Sequence, residues 1–320
     1  MQTTEINSDR NQSIQVSGDG KNVVTYDSYD GKFYKISPDG TQVAMSDQTF
    51  FGANNVTWAP SSDKAVITFA DGTNIVYNFD TKKQVTLPKH WQEFQFSPSG
   101  NQLAFKSLGP TDNQFLAIAN SDGSGARTVE DMGRQADMFN VAWSPSNQVV
   151  GTFREGVDNT RQKLYFIGQN NENFKAAEID GRGLETTWSK GGDRMLYSTY
   201  TPDSGYKPTL YIVDALGDSI GNNRRSLQLN TWASKCSFAD NTTVYCAVPD
   251  SLPDGAGLLP NATDKGPDSL YKVDIQKGTT QKIATPASAH AIETITVSPD
   301  QTSLYFNDKD TGALFSVKLK

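Results

Sequence analysis

Apolar and polar residues alternate in short runs along most of the chain, and the runs recur as one unit. The unit reads apolar-x-apolar, then Ser-Pro or a near equivalent, then a polar turn rich in Gly, Asp or Asn, then three or four mostly apolar residues. Its copies begin at Ile14, Val56, Phe94, Val141, Thr186, Ser234 and Ile295. With the serine as marker (Ala59 in the second copy), the repeat falls at residues 17, 59, 97, 144, 189, 237 and 298, spaced 38 to 61 residues apart. Alternation with period two is the pattern of a strand with one buried face, and a repeat of roughly 40–50 residues is the length of a four-stranded propeller blade.

Each unit has the internal order of such a blade. Phe94–Ser97 and Leu103–Phe105 form a hairpin around Pro98-Ser99-Gly100, where Pro presets φ and Gly supplies a positive φ. A third strand follows in every copy, at 33–36, 75–79, 115–119, 164–167, 210–213, 270–273 and 314–317. A shorter, more polar fourth strand comes next, as at 84–87, 127–129 and 281–283. The seventh copy has no fourth strand of its own after Leu314–Val317, whereas Thr3–Ile6 is left over before the first marker. Pairing the two closes the ring and removes an exposed sheet edge. The expectation is an all-β fold, one domain over residues 1–320. It is a seven-bladed β-propeller of four-stranded antiparallel blades, closed by the N-terminal strand.

The turn motifs carry a family resemblance. Trp143-Ser144-Pro145 and Phe96-Ser97-Pro98-Ser99-Gly100 resemble the WD40-like, TolB-type (PD40) propeller repeat, and Ser298-Pro299-Asp300-Gln301 departs from it by one residue. Ser37-Pro38-Asp39-Gly40 spells the motif but follows a third strand, so it reads as a look-alike. The Gly-His and Trp-Asp pairs of true WD40 repeats are absent. Val244–Pro249 and Leu304–Phe306 also resemble membrane-anchored propeller proteins of candidate-phylum bacteria. The resemblance implies a bacterial chain, and ligand binding on the face where loops enter the inner strands.

Composition narrows the partners. The net charge is -7 and the isoelectric point about 4.9, with no basic run, so nucleic acid and anionic membranes are not expected partners. Mean hydropathy is -0.54 and no stretch approaches the ~18 apolar residues of a membrane span, so direct membrane insertion is not expected. The N-terminus lacks the apolar run of a signal peptide, so any targeting or anchor segment would lie outside this sequence.

Candidate chemistry gathers around the channel. The residues two and four before each marker are nearly all polar, which predicts a water-filled channel with small polar walls. Within that set Glu93, Glu185, Asn55 and Asn140 form a candidate Ca²⁺ site, because oxygen ligands suit that ion; no other cofactor is expected. Glu93 with Glu185 is also the one carboxylate pair to test for a glycan-active enzyme, the alternative to binding. The entry loops hold Phe50, Phe51, His90, Trp91, Arg134, Arg182, Trp232 and His290. Trp and Arg are enriched at binding hot spots, so His90, Trp91, Arg134, Arg182, Trp232 and His290 are the candidate binding residues; the competing reading has the tryptophans capping the cores between blades. The two histidines precede different blades and cannot share a site, and no Gly-x-Ser-x-Gly elbow is present. The long segment from Asp250 to Asp268 reads as a solvated insertion.

Cys236 and Cys246 are the only cysteines. They lie on facing strands of the sixth hairpin, with the turn centred on Asn241, close enough to bridge. A disulfide there points to an oxidising compartment. The sequence therefore predicts a non-catalytic, monomeric binding or scaffold propeller outside the cytoplasm, recognising a protein or a cell-envelope glycan.

Overall fold

The structure is a computed structural model and describes residues 1–110, 112–286 and 288–319. Its strands form seven four-stranded antiparallel sheets, the blades of a propeller. The inner strands are Asn11–Val16, Ala53–Trp58, Trp91–Phe96, Phe139–Val141, Arg182–Trp188, Cys236–Phe238 and Ile292–Val297, defining blades one to seven. Thr3–Asn7 is the outer strand of blade seven: Thr3 faces Val317, Thr4 faces Ser316 and Glu5 faces Phe315. First and last parts of the chain thus share one sheet, and the ring closes.

The marker turns repeat one set of hydrogen bonds. In blade three the Ser97 N–H donates to the Gln102 carbonyl at 2.9 Å, and the Ser97 hydroxyl accepts the Gln102 N–H at 3.1 Å. Ser144 and Ser298 do the same with Val149 and Ser303. Three residues past the marker the backbone turns left-handed. Gly20, Gly100 and Gly192 take φ near +70° there, and Ser62, Asn147 and Gln301 take it in the blades whose motif lacks the glycine. Ser37–Gly40 joins the third and fourth strands of blade one, as a look-alike should.

Blade six needs one correction. Its hairpin bond runs from the Ala239 N–H to the Thr243 carbonyl, so Ala239 is the marker and not Ser237. The shift is two residues. Because the side-chain period is also two, every residue keeps the face assigned to it.

The core lies between blades rather than at the centre. Between blades one and two Phe33, Phe50, Trp58, Tyr77 and Phe79 form a continuous cluster, edge-to-face except for the tilted Trp58–Phe79 pair, with ring centroids 4.9–5.4 Å apart. Such rings bury 150–250 Å² each, which lets a chain with only 36% hydrophobic residues fill seven interfaces.

Candidate functional site

The six entry-loop residues all stand at one end of the ring, but they do different work. Trp91 is 8% exposed and stacks on Phe105 with centroids 3.9 Å apart. Trp232 is 4% exposed, with the Lys235 ammonium 5.9 Å from its ring centre. Both tryptophans are packing residues, buried in the protein and not offered to a ligand. Phe50 is buried likewise, while Phe51 is exposed. Arg182 donates to the backbone carbonyls of Asp158 and Arg161. The His290 Nδ1 lies 2.8 Å from Asp308 Oδ2, and its Nε2 shares a 2.7 Å hydrogen bond with Ser288. Ser288, His290 and Asp308 thus follow the order of a hydrolase triad, a pairing not foreseen from the sequence. The imidazole also packs against Phe315, centroids 4.4 Å apart, so the chain of bonds fastens the entry loop to the Asp308–Gly312 turn of the same blade. Of the six, His90 and Arg134, the latter paired with Asp112, remain exposed.

The polar residues of the inner strands stitch neighbouring blades. Gln15 Nε2 donates to the Ala59 carbonyl at 2.9 Å, Gln95 Oε1 accepts the Trp143 N–H at 2.7 Å, and the Thr187 hydroxyl donates to the Ala233 carbonyl at 3.0 Å. Bulges deflect some positions: Glu93 sits at φ +56° between Gln92 and Gln95, where the register shifts. Its carboxylate takes the ammonium of Lys106 at 2.7 Å, while Glu185 accepts the Ser234 hydroxyl at 2.6 Å. The two acids proposed for a Ca²⁺ site with Asn55 and Asn140 are therefore occupied separately. Among the described residues no three His, Cys, Asp or Glu side chains are grouped to hold a metal.

The insertion between strands two and three of blade six is not simply solvated. The Asp264 carboxylate, 11% exposed, bonds Lys235 at 2.5 Å and Lys309 at 2.9 Å. Lys235 also holds the fully buried Asp268 at 2.8 Å, and Asp268 Oδ2 accepts the Ile292 N–H at 2.6 Å. Among the described residues Asp268 Oδ1 has no partner, and burial raises this carboxyl above its ordinary value of 3.8 despite the neighbouring ammonium. The Gly255 and Gly257 N–H groups donate to the Gly205 and Tyr206 carbonyls, so the insertion reaches from blade five to blade seven.

A groove of about 760 Å³ runs down the outer cleft between blades three and four. Its floor is a row of rings placed by strand register: Phe139 faces Phe153, and Phe153 faces Tyr165. The centroids are 4.7 and 5.9 Å apart with planes tilted 35° and 30°. The outer strand of blade four, Ala177–Asp180, pairs only with Arg161–Leu164, so the second half of that third strand meets just an isolated bridge, Ile167 with Asn173. Glu130, Asp131, Arg134 and Gln135 form one wall, and Asn171, Glu172 and Asn173 the other. The Tyr165 hydroxyl donates to Glu155 at 2.7 Å, which holds the ring in place.

No protein-family model matches the chain, and no curated protein does. Solved structures share its fold. An oligogalacturonate lyase in complex with manganese is 14% identical with a TM-score of 0.64, covering 99% of this chain and 93% of that one. The Cps50 (Swd1) β-propeller domain of Myceliophteria thermophila is 11% identical with a TM-score of 0.65, covering 99% and 100%. An oligogalacturonate lyase from Vibrio parahaemolyticus is 11% identical with a TM-score of 0.60, covering 99% and 93%. At such identities the likeness is one of fold.

Of the residues named from sequence, only Arg134 lines the groove. The ring row was missed because its members lie on three strands and meet only through the register between them. What distinguishes them is the short outer strand of blade four, visible in the sequence only as the polar, glycine-flanked stretch 168–173.

Proposed function

We propose that this propeller is a non-catalytic, monomeric binding module that recognises a cell-envelope glycan outside the cytoplasm. The row of rings in the groove between blades three and four carries that reading. Half-buried Phe153 and Tyr165 offer a flat apolar surface to the C–H face of a sugar, and the flanking carboxylates and amides suit its hydroxyls. A protein partner, the other class suggested by the sequence, fits a wide exposed patch better than a narrow polar-walled cleft. The Cys236–Cys246 disulfide supports the extracytoplasmic location, because such bonds persist in oxidising compartments. The turn motifs support a TolB-type repeat. An enzyme built on Glu93 and Glu185 would need both carboxylates free, and each already has a partner.

The test is binding to an array of cell-envelope polysaccharides, with oligogalacturonate included because lyases of that glycan share the fold. Tyr165→Ala is expected to weaken binding about ten-fold, the loss of one aromatic contact worth ~1.4 kcal/mol, without a comparable fall in melting temperature. Wild-type protein is expected to release no new reducing ends from any bound glycan. Equal binding by wild type and Tyr165→Ala would remove the groove from consideration, and released ends would favour the enzyme.

A further inference from the structure

The channel opens on the face opposite the entry loops into a cavity of about 720 Å³, built from the inner strands of six blades. Its walls are apolar or neutral: Trp58, Trp143 and Trp188 stand around it, with Gln15, Gln95 and Thr296 between them. Among the described residues that line it, Lys190 alone carries a charge. Lys190 also forms no ion pair or hydrogen bond among the described residues. Lys106, Lys235 and Lys309, whose side chains are buried or half-buried, have carboxylate partners. The Lys190 side chain is open to channel water yet encircled by protein, and loss of hydration lowers its pKa, with no carboxylate nearby to restore it. Two neutral donors are also unused. Gln95 Oε1 is fixed by the Trp143 N–H, and among the described residues neither its amide N–H₂ group nor the Thr296 hydroxyl has a partner.

An unpaired ammonium in an acid-free, tryptophan-edged cavity has a definite chemical complement. We propose that this mouth of the channel is a second binding site, for a small organic anion with one carboxylate- or sulfonate-type group on an apolar body. Lys190 contacts the anionic group, the Gln95 amide and Thr296 hydroxyl can hydrogen-bond it, and the indoles take the apolar part. The net charge of -7 does not prevent this, because at physiological salt charges beyond ~8 Å are largely screened. The site is independent of the groove between blades three and four.

The probe is 1-anilinonaphthalene-8-sulfonate, followed by its fluorescence on the whole chain, beside the neutral analogue N-phenyl-1-naphthylamine. Lys190→Met is expected to weaken the sulfonate about ten-fold and leave the neutral dye nearly unchanged, while Lys190→Arg keeps the sulfonate within about three-fold. Tyr165→Ala, which alters the other groove, should change neither. Binding of the sulfonate should also weaken with rising pH before the ordinary lysine value of 10.5 is reached. Wild-type affinity for the sulfonate in Lys190→Met, or no sulfonate binding by the wild type, would overturn the proposal. Lys190 is exposed, so its variants should melt as the wild type does, and equal melting curves would exclude unfolding as the cause of lost binding.

Discussion

Lys235 shows how much one residue can depend on its setting. It ends the 3₁₀ turn just before the inner strand of blade six, where the alternation predicts a polar residue facing the channel, yet its side chain is 3% exposed and lies between Asp264 and Asp268. Removing the ammonium would strand a fully buried carboxylate, and breaking a buried pair costs about 3–5 kcal/mol. Lys235→Met is therefore expected to lower stability in urea unfolding by that amount. Lys235→Met with Asp268→Asn should recover part of it, since the amide needs no counter-charge. No recovery would mean the lysine acts through packing on Trp232 alone. The disulfide is the opposite case, foreseen at residue level. Cys236 faces Cys246 with Cα atoms 4.1 Å apart, and Ser237–Tyr245 and Phe238–Val244 share the register that places the turn at Asn241. The expectation survived the misplaced marker because facing pairs depend on where the hairpin turns, not on how the strand is named.

At the scale of the element, the turns between strands are the recurrent device. Asp71, Asp158, Asp240, Asp274 and Asp308 each accept the N–H of a residue two or three positions on. These bonds favour the charged carboxylate and hold each pKa down, in Asp71 to about 2. For Asp308, hydrogen bonds from Thr311 and His290 outweigh partial burial. A lowered folded value means that the stabilisation is complete above the unfolded value of 3.8 and is lost as pH falls through the folded one. Asp268 has the opposite sign, so its contribution is complete below 3.8 and lost as pH rises through its raised value. Asp71 and Asp158 are exposed and each counts for little, but Asp308 is enclosed. The melting temperature is expected to fall between about pH 4 and pH 2, and less steeply in Asp308→Asn than in wild type. Identical slopes across a pH series of melting curves would assign acid sensitivity to other groups.

For the whole molecule the decisive contact is between the two parts of the chain farthest apart in sequence. Thr3–Asn7 covers the edge of Leu314–Lys318, and the Met1 amino group reaches the Ile283 carbonyl at 2.7 Å. Deleting residues 1–7 would expose the N–H and C=O groups of a strand flanked by Phe315 and Val317. An uncovered apolar edge invites pairing with another chain. The deletion is expected to cost about 3 kcal/mol, which for a chain of 320 residues lowers the melting temperature by ~4–5 °C, and to produce dimers in size-exclusion chromatography. An unchanged melting point would show that blade seven is stable with three strands.

Blade number, strand order, ring closure and the disulfide were legible in the sequence because they follow from local periodicity. A two-residue alternation, a turn whose residues tolerate a positive φ, and a repeat length together leave one architecture. The sites were not legible, because they depend on which neighbours cover a side chain. Trp91 and Trp232 carry the residue type of a binding surface, and the adjacent blades bury them. Asp264 has the composition of a solvated loop, and two lysines from other segments draw it inside. Phe153 and Tyr165 read as ordinary core rings, and only a fourth strand that stops short leaves them open. Alternation decides which side of a strand a residue faces. Whether that side meets water, a ligand or another blade is decided by contacts between segments distant in sequence, and those exist only once the ring has closed.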